Sequence, residues 1–431
     1  MASSAESLES AIQPEIASPA TFADTDAETE VILKPSSEPF IDEEGTKFKI
    51  LVAVSLAHLL NDTTQSLLVP SYPLLKDAFN LTFTQIGLIT LTYQLTASML
   101  QPLIGHFTDR HPLPYSLPFG MLFVLAGLLT LAFAPSYGWL IMGAMILGAG
   151  SSIFHPESSR VARLASGGKF GLAQSIFQVG GNAGSSFGPL LAAAVVISNG
   201  QRSLSWFCVL PICGFFLLLR VGKWASGRVK STKHSGPLPA PLVPTKTLIR
   251  IFAALLVLIF SKYFYTASIS SYFIFFLTHK FGISVEAAQV RLFFFLFAMA
   301  MGTLFGGPIG DRIGRKYVIW FSILGAAPFT LAMPYMNLFW TGIFVFLTGL
   351  IIGSAFPAIV VFAQELVPGR VGTVAGLFFG LSFGLGGIGA GVLGKMADAY
   401  GIETVYHICA FLPLLGMSAI FLPNIKEHKV V

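Results

Sequence analysis

Long apolar runs, separated by short polar or Gly- and Pro-containing turns, recur twelve times along the chain. The first six cover 48–74, 83–106, 114–134, 138–163, 170–198 and 204–222. The second six cover 247–278, 287–309, 316–334, 337–366, 371–397 and 404–423. Each can cross about 30 Å of hydrocarbon at about 1.5 Å per helical residue. Runs such as Leu248–Phe260 and Leu292–Leu304 lack the short alternation of a transmembrane β-barrel. The pattern predicts an all-α membrane protein with twelve transmembrane helices.

Composition agrees. Of 431 residues, 54% are hydrophobic and 11% charged, with mean hydropathy +0.74; a soluble chain carries about 25% charged residues. The charge is unevenly placed. Residues 1–45 hold eleven acids and one base, Lys34, whereas the remainder holds ten acids and 25 bases. Segment 1–45, rich in Ser, Ala, Pro and Glu, is expected to be a disordered, solvated tail. Lacking a basic start and an apolar stretch, it does not read as a signal peptide. Between the sixth and seventh runs, Pro237, Pro239, Pro241 and Pro244 lie among bases without any acid, which predicts a stiff, extended linker. With that linker in the cytoplasm, 19 Lys and Arg fall on the cytoplasmic side and four on the other. The positive-inside rule then places both termini in the cytoplasm. The expected organisation is tail 1–45, six-helix bundle 46–222, linker 223–246, six-helix bundle 247–424 and tail 425–431. Cys208, Cys213 and Cys409 lie in apolar runs, and neither their number nor their spacing suits a disulfide framework or a metal site.

The two halves share landmarks. Gly105, Asp109 and Arg110 recur as Gly307, Asp311 and Arg312 at an offset of 202; Pro156 and Gly171 recur as Pro357 and Gly372 at 201. A six-plus-six duplication explains this, and two bundles around a central cavity suit alternating access. The segment Gly307-Pro-Ile-Gly-Asp311-Arg312-Ile-Gly314-Arg315-Lys316 resembles the loop motif of the major facilitator superfamily. The first-half copy departs from it after Arg110, reading His111-Pro112-Leu113-Pro114. Physically, the acid can cap a helix N-terminus while the arginine pairs across to a neighbouring helix. Together they would form a conformational latch. Gly184-x-x-x-Gly188-Pro189 resembles that superfamily's antiporter motif, with Ala192-Ala193 in place of the usual glycine pair. Close helix packing is the competing explanation.

A narrower resemblance rests on His58-Leu-Leu-Asn61-Asp62, Leu100-Gln101-Pro102-Leu-Ile-Gly105, Phe154-His155-Pro156-Glu157 and Ala173-Gln174-Ser175-Ile-Phe177-Gln178-Val-Gly180-Gly181. These strings resemble the fosmidomycin resistance protein branch of the superfamily. The resemblance implies drug efflux driven by proton uptake across a bacterial inner membrane. The acidic tail departs from that branch's short start.

Ionisable groups within spans cost several kcal/mol unless paired or hydrated, so they are the first site candidates. His58, Asn61, Asp62 and Gln65 fall at i, i+3, i+4 and i+7, one helix face. His58 and Asp62 suit a proton relay, with a structural hydrogen-bonded pair as the alternative. His155 and Glu157 flank the helix-loosening Pro156 and extend the proton-coupling set. Arg160 at i+3 offers Glu157 a local ion pair instead. Gln174, Gln178 and Asn182 share a face of the fifth span and suit either a polar substrate or helix packing. In the second half, Lys262, with Tyr265 one turn on, could hold an anionic substrate group or pair with a first-half acid. Arg291 could contact substrate or snorkel to the membrane surface.

No phosphate-binding Gly-x-x-x-x-Gly-Lys-Ser/Thr loop and no His-Glu-x-x-His motif occurs, so neither ATP-driven transport nor a metal enzyme is expected, and no cofactor or nucleic acid. The leading expectation is a monomeric, proton-coupled antiporter exporting small anionic or amphiphilic compounds. An importer of an organic anion and a non-transporting receptor are the alternatives.

Overall fold

The computed structural model describes residues 30–33, 45–81, 83–231 and 240–427. Among these residues, twelve helical rods follow one another. We label them α1 (Phe48–Ser66), α2 (Phe83–Arg110), α3 (Ser116–Ala132), α4 (Tyr137–Leu164), α5 (Phe170–Leu191), α6 (Gln201–Arg228), α7 (Thr245–Phe281), α8 (Val285–Ile313), α9 (Arg315–Tyr335), α10 (Leu338–Leu366), α11 (Val371–Tyr400) and α12 (Ile402–Phe421). Eight of them, α4 and α6–α12, are long and apolar enough to cross a membrane. Of the others, α1 and α5 carry the polar faces singled out above, which lowers their hydropathy. Many large apolar side chains, among them Phe216, Phe275, Ile388 and Phe421, point outward, as a multi-pass membrane protein requires.

Several boundaries differ from the sequence expectation. The first span, expected over 48–74, ends its helix at Ser66, and a separate short helix covers Tyr72–Phe79. Gly105–Arg110 and Gly307–Arg312, read as loops following spans, are the final turns of α2 and α8; nothing in either segment breaks the helix before Arg110 or Gly314. The sixth helix continues to Ser231, so the first part of the expected linker is helical. The tenth rod is interrupted at Ser354, just before Pro357. Residues 232–239 of the linker and most of the acidic tail lie outside the described residues. Within the tails, Glu30–Leu33 pairs in parallel with Asn424–Glu427.

The cores show how the halves meet. Leu67, Val124 and Leu204 belong to a core confined to the first half, and Tyr265, Phe273 and Tyr406 to one confined to the second. A third core joins both halves, including Leu51, Phe154 and Phe177 together with Leu258, Phe356 and Phe379. The halves therefore share one interior at a single end, the end that carries the loop motifs.

Close backbone contact makes that end tight. A Cβ added at Gly307 would strike the Gly171 carbonyl, and one at Gly105 the Gly372 carbonyl. Gly307→Leu should therefore hold the halves apart there. With a single probe cysteine replacing buried Ser159, in a background free of other cysteines, maleimide labelling is expected to rise roughly tenfold, equivalent to about 1.4 kcal/mol in the closing equilibrium. Unchanged labelling would show that closure does not need this contact.

Candidate functional site

The first helix delivers His58, Asn61, Asp62 and Gln65 to the interior because its polar residues recur at helical spacing. The fifth helix lies close against it through small residues. Gly181 abuts the His58 ring, Gly184 lies on the Leu59 carbonyl, and Gly188 meets Ser66. The antiporter-like glycines thus seat α1 on α5. Just beyond Pro189, the helix widens into a π turn over Ala192–Val196, a feature that often accompanies function. His58 stacks on Phe177 with ring centroids 4.3 Å apart. On α4, Pro156 has no N–H, and His155 beside it projects toward α1.

These helices bring His58, Asp62 and His155 together. His58 Nε2 lies 3.3 Å from His155 Nε2 and 3.4 Å from Asp62 Oδ2, and His155 Nε2 is 3.7 Å from Asp62 Oδ1. The opposite ring nitrogens face main-chain carbonyls: His58 Nδ1 is 2.9 Å from Phe177 O, and His155 Nδ1 is 3.0 Å from Ser151 O. A carbonyl only accepts, so each Nδ1 must carry a proton. In the neutral rings both Nε2 atoms then present lone pairs to each other and to a carboxylate. Asn61 Nδ2 donates to Asp62 Oδ1 at 2.9 Å and Ser185 Oγ to Oδ2 at 3.4 Å, but neither donor lies between the three acceptors. One added proton satisfies the set. The same donor atoms, all within 4.8 Å of one another, are spaced so that they could also hold a small cation. Both histidines are 1% exposed and Asp62 is 13% exposed, which makes Asp62 the member that water reaches.

Some amide atoms of these helices are uncommitted: Asn61 Oδ1, Gln65 Nε2 and Gln178 Oε1 are buried without a hydrogen-bond partner among the described residues. Gln65 Oε1 accepts from Tyr93 at 2.7 Å. Asn182 donates to Thr303 on α8 at 3.0 Å, across the two halves.

Other sequence candidates lie elsewhere. Gln174, expected to meet substrate, is buried in a bridge at the closed end: Ser159 Oγ donates to it at 2.9 Å, and Gln364 on α10 donates to Ser159 at 3.1 Å. Glu157, expected in proton coupling, is buried in an ion pair with Arg160 and accepts from Ser116 at 3.1 Å. Arg160 is also within electrostatic reach of Asp109, which ties the pair to the closed end. Tyr265 is buried in the second-half core. Arg291 lines a cavity of about 450 Å³ with Phe294, Phe339 and Phe346, and no first-half residue lines it. The distance of these two from the triad follows from helix rotation, which spacing alone does not give.

The loop-motif acids act in trans. Asp311 accepts from the Gly171 and Leu172 N–H groups, both at 2.9 Å, at the start of α5. Asp109 accepts from Gly372 N at 2.8 Å, Thr373 N at 2.7 Å and Thr373 Oγ1 at 2.6 Å, at the start of α11. Each half thus caps a helix of the other. Among the described residues Arg110 and Arg312 do not make the arginine pairing expected of them; both are exposed, and Arg110 contacts His106 of its own helix. Arg315 pairs instead with Asp311 at 3.1 Å and with Glu365 at 2.8 Å, while Gly314, at φ 99°, turns the chain from α8 into α9. Glu365, missed in the sequence, was signalled by its place as an acid within an apolar span.

Comparison with known proteins follows this geometry. The family model described as Major Facilitator Superfamily matches residues 54–390 and 255–430. The chain is 57% identical over 386 residues to the fosmidomycin resistance protein of Escherichia coli (strain K12), covering 89% of this chain and 95% of that one. It is 39% identical over 403 residues to the MFS-type transporter YfnC of Bacillus subtilis (strain 168), covering 92% and 98%. Among solved structures, the transporter FucP in the outward conformation superposes with TM-score 0.68 at 17% identity, covering 86% of this chain and 97% of that one. The human organic anion transporter MFSD10 gives 0.69 at 18%, covering 86% and 99%.

The Glu157–Arg160 placement has a measurable consequence. Glu157→Gln leaves a buried guanidinium unpaired and should cost about 3 kcal/mol of stability, read as a lower thermal midpoint. Replacing Arg160 with Gln as well should recover much of that loss. A pH profile of transport that shifts while the midpoint stays fixed would restore Glu157 to the proton-coupling set.

Proposed function

This chain belongs to the major facilitator superfamily, and from that premise we propose that it exports small anionic or amphiphilic drugs, fosmidomycin-like phosphonates among them, in exchange for protons. Export against a substrate gradient, with no ATP-binding motif in the chain, requires coupling to an ion gradient. The observation that carries the coupling is the facing set of His58 Nε2, His155 Nε2 and Asp62, three acceptors that one proton completes. Asp62 receives the proton from water, and the buried imidazoles share it. Asn61, Gln65 and Gln178 offer polar contacts to a substrate beside that cluster.

The reading sets the chain in a bacterial inner membrane, with both termini and the loop motifs in the cytoplasm, as the distribution of basic residues favours. The closed end is then the cytoplasmic one. Proton loading from outside and release of the two aspartate caps would open that end to substrate. A pH step of one unit supplies about 1.4 kcal/mol per proton, enough for about a tenfold substrate ratio.

Everted membrane vesicles from a host without its own drug pumps test this. Wild-type vesicles should accumulate fosmidomycin when their lumen is acidified. Asp62→Asn should abolish gradient-driven accumulation, a loss of about tenfold for a one-unit step, while gradient-independent exchange of labelled for unlabelled drug continues. Unchanged accumulation by Asp62→Asn would remove the cluster from coupling, and accumulation only with the gradient reversed would favour import.

A further inference from the structure

We propose that Lys262, with Tyr263 and Phe356, forms the anion-binding half of a bipartite central site and receives an oxyanion group of the substrate. The inference rests on the efflux reading and adds to it the group that recognises charge.

The internal repeat points to this place. At an offset of 201, Asn61 corresponds to Lys262, Asp62 to Tyr263 and His155 to Phe356. The structure brings the same positions together in both halves: His155 lies on Asp62 in the first, and the Phe356 ring meets the Tyr263 ring edge-on at 5.7 Å in the second. Duplication has kept the site and inverted its chemistry. Where one half holds a carboxylate and imidazoles, the other holds an amine and aromatic rings.

Lys262 is 4% exposed. Its Nζ lies 5.2 Å from the centroids of both the Tyr263 and Phe356 rings. Among the described residues, no carboxylate forms an ion pair with it and no carbonyl accepts from it. Ring faces return about 0.5–2 kcal/mol to a cation, less than the several kcal/mol that burying it costs. One turn on, Thr266 Oγ1 is also buried without a partner. A buried amine and a hydroxyl at i and i+4 on one helix face, both unpaired, match the needs of a phosphonate or carboxylate. A first-half acid does not fill the role, because Asp62 is engaged with the histidines, Asn61 and Ser185.

Phe379 joins the two half-sites, 5.1 Å from His155 and 4.9 Å from Phe356. Phe356 and Phe379 belong to the core that both halves share. In the closed arrangement the rings surround Lys262. Separation of the halves at that end uncovers this face of the second bundle and lets an anion reach Nζ. The rings and the anion therefore compete for one ammonium.

Full-length protein in proteoliposomes with an imposed pH gradient tests the assignment, using fosmidomycin and its uncharged diester as probes. Lys262→Gln should lower kcat/KM for the phosphonate about tenfold or more, mainly through KM, with the diester changed by less than about twofold. Lys262→Arg should keep phosphonate transport within about threefold of wild type. Wild-type phosphonate transport by Lys262→Gln overturns the proposal. Equal loss of both probes also overturns it, because the role would then be structural. Equilibrium binding in detergent separates this inference from the efflux reading. A phosphonate Kd about tenfold weaker in Lys262→Gln supports the anion site even where wild-type protein moves no drug, and that transport failure counts against export alone.

Discussion

A helix N-terminus exposes several N–H groups that its own backbone cannot satisfy, and a membrane protein has little water to spare for them. Here two such ends, at α5 and α11, take their caps from acids on the opposite half. The rest of the closed end follows from that. Each cap adds roughly 1–2 kcal/mol, and a helix end that loses its cap would be left with unsatisfied N–H groups. Intermediate separations are therefore poor, and the halves are either locked or apart. The glycine contacts, the Ser159–Gln174–Gln364 bridge and the phenylalanine layer all lie within the interface that the two caps define.

Much of the site was legible in the chain. The His58–Asp62 face follows from 3.6-residue periodicity, the Glu157–Arg160 pair from its spacing of three, and the duplication from landmarks that recur at offsets of 201 and 202. What the sequence could not tell was which faces of different helices meet. His155 joining Asp62 rather than Glu157 depends on rotation of α4 about its axis. Gln174 and Gln178 are one turn apart, yet the Gln174 oxygen accepts from Ser159 at the closed end while Gln178 Oε1 is left without a partner among the described residues. The target of Asp311 lies 140 residues away in the chain, beyond the reach of local pattern. Forty phenylalanines likewise hide the few, Phe154, Phe177, Phe356 and Phe379, that pack around the two histidines in the core both halves share.

The repeat is equal in its scaffold and unequal in its chemistry. Both halves keep the capping acid, the receiving helix start and the proline of the fourth and tenth helices. Titratable groups gather in the first half, and the isolated amine lies in the second. The two halves thus place groups of opposite sign at adjacent positions of the repeat, the carboxylate of Asp62 in one and the amine of Lys262 in the other.

The short ladder between Glu30–Leu33 and Asn424–Glu427 has a topological consequence. The segment between α6 and α7 already connects the bundles once, and the ladder connects them again through the chain ends. The polypeptide becomes a closed circuit with two crossings between bodies. The four backbone pairs of the ladder lie outside every span, so this second connection is made by the chain ends alone.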